Sequence, residues 1–448
     1  MKKTLVALAA LAATSAFAQS TVTIYGVADV AYGTKIIEGN TGIMQQKQSG
    51  VMDGGFAGNR IGFRGTEDIG GGKAAGFVIE QGISPTNGAL FGVRTASAGL
   101  QLDGLAGSTA RYDQGTGGGY SQGTNRQTFV SLSDKSMGEV RIGYQYTALY
   151  EVSTLMGFTQ TSEGVYGGAH SHTFGQGAAG GTRANGINYI SPRMSGFGAS
   201  VQTGSTGGRD NTEFAAANSA NGLTQDRNKR FSLKLDYAQG PWAAAYATTS
   251  FQNTTSARAA GTTVNTPFMT AGAAGAATTA AAAAITTFNV YGALTSLGAS
   301  PVGATSMDTK LNQLAGSYNA ANWKVGFTKN SGTSTVVGAN PTFGTATSSA
   351  SGNKTGTYDI SSQAVSGLYR MGQYSFTAGM GTAKLTNNAE TAGTISQDYK
   401  QKQIGAMYDF SKRTKVYGYQ GSWTNEPTTA STTAAKGKQT IVGLLHTF

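Results

Sequence analysis

The chain has 448 residues, 39% apolar and 12% charged, with 66 Gly, 7 Pro, no Cys and a formal charge of +11. A soluble domain ordinarily carries roughly 25% charged residues and about 7% Gly, so here charge is half and glycine twice the usual. The 20 Tyr and 19 Phe argue against disorder, the absence of cysteine excludes a disulfide-stapled fold, and the 33 dispersed Lys and Arg form no dense basic run with interleaved aromatics, so nucleic acid is not an expected partner.

Taken in chain order, Met1, Lys2 and Lys3 precede an apolar stretch over 5–13, and Ala16-Phe17-Ala18 precedes Gln19. A basic start, a short apolar core and small residues two apart predict a signal peptide over residues 1–18, leaving 19–448 as a single domain. Its removal takes away Lys2 and Lys3 and lowers the charge from +11 to +9. No later run reaches the roughly 18 apolar residues of a spanning helix. A spanning strand needs only about ten residues, and its average hydropathy is unremarkable because its two faces alternate. The slightly negative mean hydropathy fits that case.

From there to the end, apolar and polar residues alternate with period two, which predicts an all-β fold. Val22, Ile24, Gly26, Ala28 and Val30 alternate with Thr23, Tyr25, Val27 and Asp29, and then Ile61 and Phe63 with Arg60, Gly62 and Arg64. Phe77 and Ile79 oppose Val78 and Glu80, and Val140, Ile142 and Tyr144 oppose Arg141, Gly143 and Gln145. Phe231, Leu233 and Leu235 alternate with Ser232, Lys234 and Asp236, Trp323, Val325 and Phe327 with Lys324 and Thr328, and the last strand sets Val442, Leu444, His446 and Phe448 on one parity.

Two sizes of connection join these strands. Short ones rich in Gly, Asn, Asp, Ser and Pro lie at 68–72, 134–138, 191–196, 238–241, 319–322, 370–373 and 409–413. Long ones lie around 36–55, 82–125, 147–183, 204–229, 251–309, 330–355, 385–397 and 424–437, including an Ala-rich stretch at 271–284. Short turns on one side and large loops on the other are the pattern of a membrane-spanning barrel. In lipid every backbone N–H and C=O must be paired, so the sheet must close. Seven short and eight long connections predict a closed, antiparallel, 16-stranded transmembrane β-barrel, wide enough for an aqueous lumen.

Five segments carry a family likeness: 22–28 (VTIYGVA), 59–72 (NRIGFRGTEDIGGG), 188–196 (NYISPRMSG), 408–417 (YDFSKRTKVY) and 442–448 (VGLLHTF). With them the chain resembles the Gram-negative general porins of the beta-proteobacterial type. The end of the fifth strand departs from the family pattern, reading Gly143-Tyr144-Gln145 in place of Gly-Arg-Gln. The resemblance implies an outer-membrane channel for passive diffusion of ions and small hydrophilic solutes, a homotrimer, and a third external loop, 147–183, folded into the pore. It also implies that Phe448 is the aromatic end read by the barrel assembly machinery, and that the outer face meets outer-membrane lipid and lipopolysaccharide.

A diffusion pore needs no nucleophile but does need a polar wall whose charges select ions. The lumenal parity offers Arg60, Arg64, Arg141, Lys234, Lys324 and Lys415 as wall charges, against Glu151 and Glu163 in the loop, which also ends at Arg183. A basic wall facing an acidic loop predicts weak anion preference, and the net charge points the same way. The alternative is a channel with a solute-binding constriction, for which Tyr144, Tyr146 and Tyr150 are candidates. His170 and His172 form a pair without a Cys to complete a metal site, and with 3 His none stands in a triad context, so neither a metal, a cofactor nor an enzyme activity is expected.

Overall fold

The computed structural model describes residues 21–39, 46–53, 56–86, 126–156, 183–206, 227–255, 305–339, 353–387, 395–427 and 435–448. The chain in these stretches is almost entirely strand. In order come β1 (Thr21–Gly39), β2 (Gln46–Asp53), β3 (Arg60–Gly70), β4 (Lys73–Gly82), β5 (Thr128–Asp134) and β6 (Gly138–Tyr146). A short helix α1 (Ala148–Ser153) and one 3-10 turn follow, then β7 (Arg183–Ile190), β8 (Phe197–Thr206), β9 (Arg227–Gln239), β10 (Trp242–Thr255) and β11 (Thr305–Asn319). The rest are β12 (Trp323–Ala339), β13 (Asn353–Met371), β14 (Tyr374–Asn387), β15 (Ile395–Asp409), β16 (Thr414–Pro427) and β17 (Ala435–Thr447).

All neighbours pair antiparallel, and β1 pairs with β17 from Val27 opposite Thr447 to Gly39 opposite Ala435, which closes the sheet. On its other edge β1 pairs with β2 along Val30–Ile37 and with β3 along Thr21–Val27. The segments β2 and β3 therefore occupy one wall position, interrupted between Asp53 and Arg60, and the 17 segments make a 16-stranded closed barrel as expected. The seven tight turns fall where the sequence predicts them. At the β5–β6 turn, the positive φ of Gly138 (97°) is a conformation that a side chain would strain.

Several strands run further than the expected loop boundaries. β1 continues to Gly39, β2 begins at Gln46, and β12 continues to Ala339. Beyond the lipid a strand has no oily face, so alternation fades while the ladder goes on. β12 shows this: Trp323, Val325 and Phe327 point outward and are about half exposed, whereas the next outward residues are Lys329, Ser331 and Thr333.

Burial is inverted relative to a soluble protein. Among the described residues many large apolar side chains are exposed, including Ile24, Ile142, Leu235 and Leu444, while the buried set includes Gln145, Asn188, Gln202, Ser232, Gln313, Asn330 and Gln403. The apolar face is therefore the lipid face and the polar face the lumen. Outward aromatics pair beside the short turns, Trp242 with Tyr318 at 4.5 Å, Trp323 with Tyr369 at 4.4 Å and Tyr374 with Tyr408 at 5.0 Å, a girdle at that membrane boundary.

Part of the glycine surplus has a packing cause. Directly opposed across rungs are Tyr25 and Gly62, Phe77 and Gly65, Phe327 and Gly316, Tyr419 and Gly405, Tyr417 and Gly443, and Trp423 and Gly437. At each of these glycines a Cβ would collide with the ring lying over it.

Candidate functional site

The lumen is occupied from two sides. On the first, the third external connection turns inward directly after β6. Thr147 caps α1, its hydroxyl accepting from the Tyr150 N–H at 3.3 Å, and Ala148, Leu149, Val152 and Ser153 are buried. The helix packs against β9, β10 and β11, and the 3-10 turn after it against β11 and β12. Since β6 is separated from these strands by β7 and β8, the segment crosses the interior instead of following the wall. Its anchor is an ion pair 2.5 Å long between Glu151 and Lys234 of β9. Lys234 is also 3.8 Å from Asp236, which in turn pairs with Arg193.

Elsewhere on the inner wall, Glu80 of β4 is buried and meets one hydroxyl and two guanidiniums. Tyr25 donates its hydroxyl at 3.1 Å, Arg126 pairs directly with the carboxylate, and Arg60 lies 3.7 Å away. Arg126 also donates to the Tyr146 hydroxyl at 3.3 Å, and Tyr146 stacks on Tyr150 of α1 with ring centroids 4.4 Å apart. Arg64 stands over the Tyr25 ring at 5.4 Å, with no carboxylate within 4 Å among the described residues. Among the described residues two guanidiniums thus lie at one carboxylate, and Arg64 has none beside it.

The second intrusion was not expected from the sequence. Where the wall breaks between β2 and β3, residues 56–59 fold over the inside of β1. Asp29, fully buried, accepts the N–H groups of Phe56 (2.7 Å) and Ala57 (2.6 Å) on one oxygen and the Tyr417 hydroxyl (2.5 Å) on the other. Asn59 exchanges two hydrogen bonds with the Asp29 backbone. Phe56 packs on Tyr417 and Tyr419 at 5.7 and 6.1 Å, and the Lys415 ammonium lies 5.3 Å above its ring. This cover explains why Val27, Ala31, Ile441 and Leu445 are apolar although they point inward.

The sequence-derived candidates divide accordingly. Arg60, Arg64, Glu151 and Lys234 fall in the two groups just described. Arg141 faces the lumen but pairs with Glu139 of its own strand at 2.8 Å, Lys415 pairs with Asp409 at 3.3 Å, and Lys324 is partly buried on the inward face of β12. Glu163, His170, His172 and the stretch 271–284 lie outside the described residues. His446 faces outward beside Thr414, its Nδ1 2.9 Å from the hydroxyl. Arg126 and Asp29 were missed. Arg126 stands at the end of a long connection, where no periodicity marks it, whereas an acid at Asp29 inside an alternating strand was a visible signal. Much of the basic excess, including Lys329, Lys384, Lys402 and Lys438, lies exposed on the outward parity, so the net charge does not report on the lumen.

Phe448 ends the closing ladder: its N–H donates to the Gly26 carbonyl at 3.2 Å and its carbonyl accepts from Gly26 at 3.0 Å.

Comparison with known proteins agrees with this architecture. A family model described as Gram-negative porin matches residues 4–339. Outer membrane porin protein 32 of Delftia acidovorans is 36% identical over 205 residues, 44% of this chain and 48% of that protein, so the chain spans about half the length of the curated relative. An anion-selective porin from Comamonas acidovorans superposes with a TM-score of 0.56 at 18% identity, covering 96% of this chain and all of that one. OmpT of Vibrio cholerae, in a trimer form, gives 0.52 at 13% identity over 96% of this chain and 99% of that one. With three quarters of its length matched by the family model and a closed barrel turned oily side out, the chain belongs to the Gram-negative porin family, in the outer membrane.

Proposed function

We propose that this porin forms a water-filled channel for passive diffusion of ions and small hydrophilic solutes, with a weak preference for anions. The observation that carries the reading is α1, drawn into the barrel and held by Lys234, in a lumen whose wall also carries Arg60 and Arg126 at Glu80. A narrowed lumen with surplus guanidinium charge raises the local concentration of anions without binding them tightly. The solved Comamonas porin is an anion-selective one, which supports the sign. Reversal potentials across a planar bilayer in a salt gradient test it; cation preference in dilute salt would overturn the anion reading.

Three further assignments accompany this one. Residues 1–18 are removed on export, Phe448 is the assembly signal, and three barrels associate, as in the trimer form of the Vibrio structure. A specific channel is the second reading, favoured by the Tyr146–Tyr150 stack, a flat surface on which a sugar ring can lie. A neutral solute that blocks the current saturably would establish it.

A further inference from the structure

The short turn between β7 and β8 holds a charge in a fixed place. Met194 and Phe197 exchange backbone hydrogen bonds of 2.9 Å across it, and the Arg193 guanidinium donates to the Gly196 carbonyl at 2.9 Å. The other end of that guanidinium pairs with Asp236 of β9. Asp236 stands directly opposite Gly198, where a Cβ would come within 3.2 Å of the carboxylate, so the bare glycine makes room for the acid. Two residues away on the same face of β9 is Lys234, 3.8 Å from Asp236 and 2.5 Å from Glu151, the one charged side chain of α1. Signs therefore alternate along a line from Arg193 in the turn, through Asp236 and Lys234, to Glu151 in the lumen. The turn end is open to water and the middle is not: the Arg193 side chain is 53% exposed, Asp236 15% and Lys234 18%.

We propose that Arg193 is a positioning residue for the constriction: it occupies Asp236 and so leaves Lys234 to hold α1 through Glu151. One ammonium stands between two carboxylates, and among the described residues the cations within 4 Å of Asp236 are Arg193 and Lys234. A carboxylate mostly withdrawn from water that loses one of its two cations draws the other closer. Lys234 is within reach, since its 3.8 Å from Asp236 is about 1 Å more than a hydrogen-bonded ion pair. Drawn there, the lysine slackens on Glu151, and the helix loses the charge contact that fixes it against β9. Arg141 with Glu139 and Lys415 with Asp409 are pairs of the wall alone. Arg193 with Asp236 differs because its acid faces the lysine that grips the helix. The inference rests on α1 as the constriction but not on the sign of the ion preference.

The test reads the barrel in two ways: open-channel noise in a planar bilayer, and the mobility of a spin label on Thr154→Cys in mild detergent. Thr154 is exposed directly after α1, and the chain has no other cysteine, so the label reports on the helix whether or not the barrel conducts. In the same labelled background, Arg193→Gln should raise the noise and the mobile fraction of the label about fivefold, the weight of one partly exposed ion pair. Arg193→Lys keeps the charge and should stay within about twofold of wild type. Adding Asp236→Asn to Arg193→Gln removes the competing carboxylate and should bring both readings back to wild type. Adding Arg193→Gln to Glu151→Gln should change nothing further, because the grip is already lost. A quiet channel and an immobile label in Arg193→Gln overturn the proposal. Mobility that persists once Asp236→Asn is added would assign Arg193 to the folding of its turn alone, and also overturns it. Asp236→Asn by itself should leave the label no more mobile than in wild type; greater mobility there overturns the proposal even if Arg193→Gln fails to assemble. The expected label pattern in a barrel that passes no current would count against the channel reading alone.

Discussion

Replacing Arg64 by Gln removes an exposed lumenal charge that no described carboxylate neutralises, while Arg60 and Arg126 keep their contacts with Glu80. For a monovalent ion passing about 8 Å away in water, one unit charge contributes about 0.5 kcal/mol before screening. Screening leaves about 0.4 kcal/mol at 0.01 M salt, about 0.2 at 0.15 M and almost nothing at 1 M. Anion and cation shift in opposite directions, so the permeability ratio should move toward cations about fourfold at 0.01 M, about twofold at 0.15 M and imperceptibly at 1 M. Reversal potentials of wild type and variant, measured with a fixed gradient at these three mean concentrations, give the ratio directly. The side chain is already hydrated, so the heat stability of the barrel should hardly change. If the ratio is the same at 0.01 M while conductance and assembly are intact, permeating ions do not pass near Arg64, and the path through the lumen lies elsewhere.

Three other outcomes follow from the geometry. Glu151→Gln and Lys234→Gln should each loosen α1 and increase current noise, with the double variant no worse than the worse single one; the pair is partly exposed and its coupling should be about 1 kcal/mol or less, read from a double-mutant cycle on the unfolding midpoint in urea. Asp29→Asn turns one of two accepting oxygens into a donor facing either the Tyr417 hydroxyl or the N–H groups of Phe56 and Ala57, and should lower stability by about 2 kcal/mol, seen as earlier loss of the folded band on heating before electrophoresis. Deleting Phe448 removes two backbone hydrogen bonds to Gly26 and should reduce barrel yield in the membrane without changing synthesis; an unchanged yield would reject its role in assembly.

The barrel was legible because two signals reinforce each other: a lipid face demands alternation, and tight turns demand Gly, Asn, Asp or Pro. Where one signal fades, so does the reading. Ser331 and Thr333 still pair in the ladder, yet outside lipid nothing obliges them to be apolar, so the strand there looked like loop. The run Ile441-Val442-Gly443-Leu444-Leu445 was a legible sign that the inner face is also covered, since a half-solvated strand would alternate. What covers it, residues 56–59, could not be found, because the contact depends on Asp29 meeting a segment nearly thirty positions away. In the lumen, parity marks Arg60 and Lys234 one at a time as residues of the polar face. Their partners Glu80, Arg126 and Glu151 come together only once the sheet has closed and α1 has crossed it.

The ring-over-glycine rungs bear on how the strands find their neighbours. Alternation rejects a slip of one residue, which would turn a strand's oily side to water, but it is blind to a slip of two, which preserves every facing. Such a slip would set Tyr417 against Ile441 or Leu445 instead of Gly443, Tyr419 against Met407 or Gln403 instead of Gly405, and Trp423 against Ala435 or Gln439 instead of Gly437. In each case a bulky ring loses its bare patch of backbone and meets a side chain. These pairs act like the wards of a lock, passing one alignment among those that hydrophobic pattern alone would accept, and they are densest on β15, β16 and β17, beside the seam where the last strand must find the first.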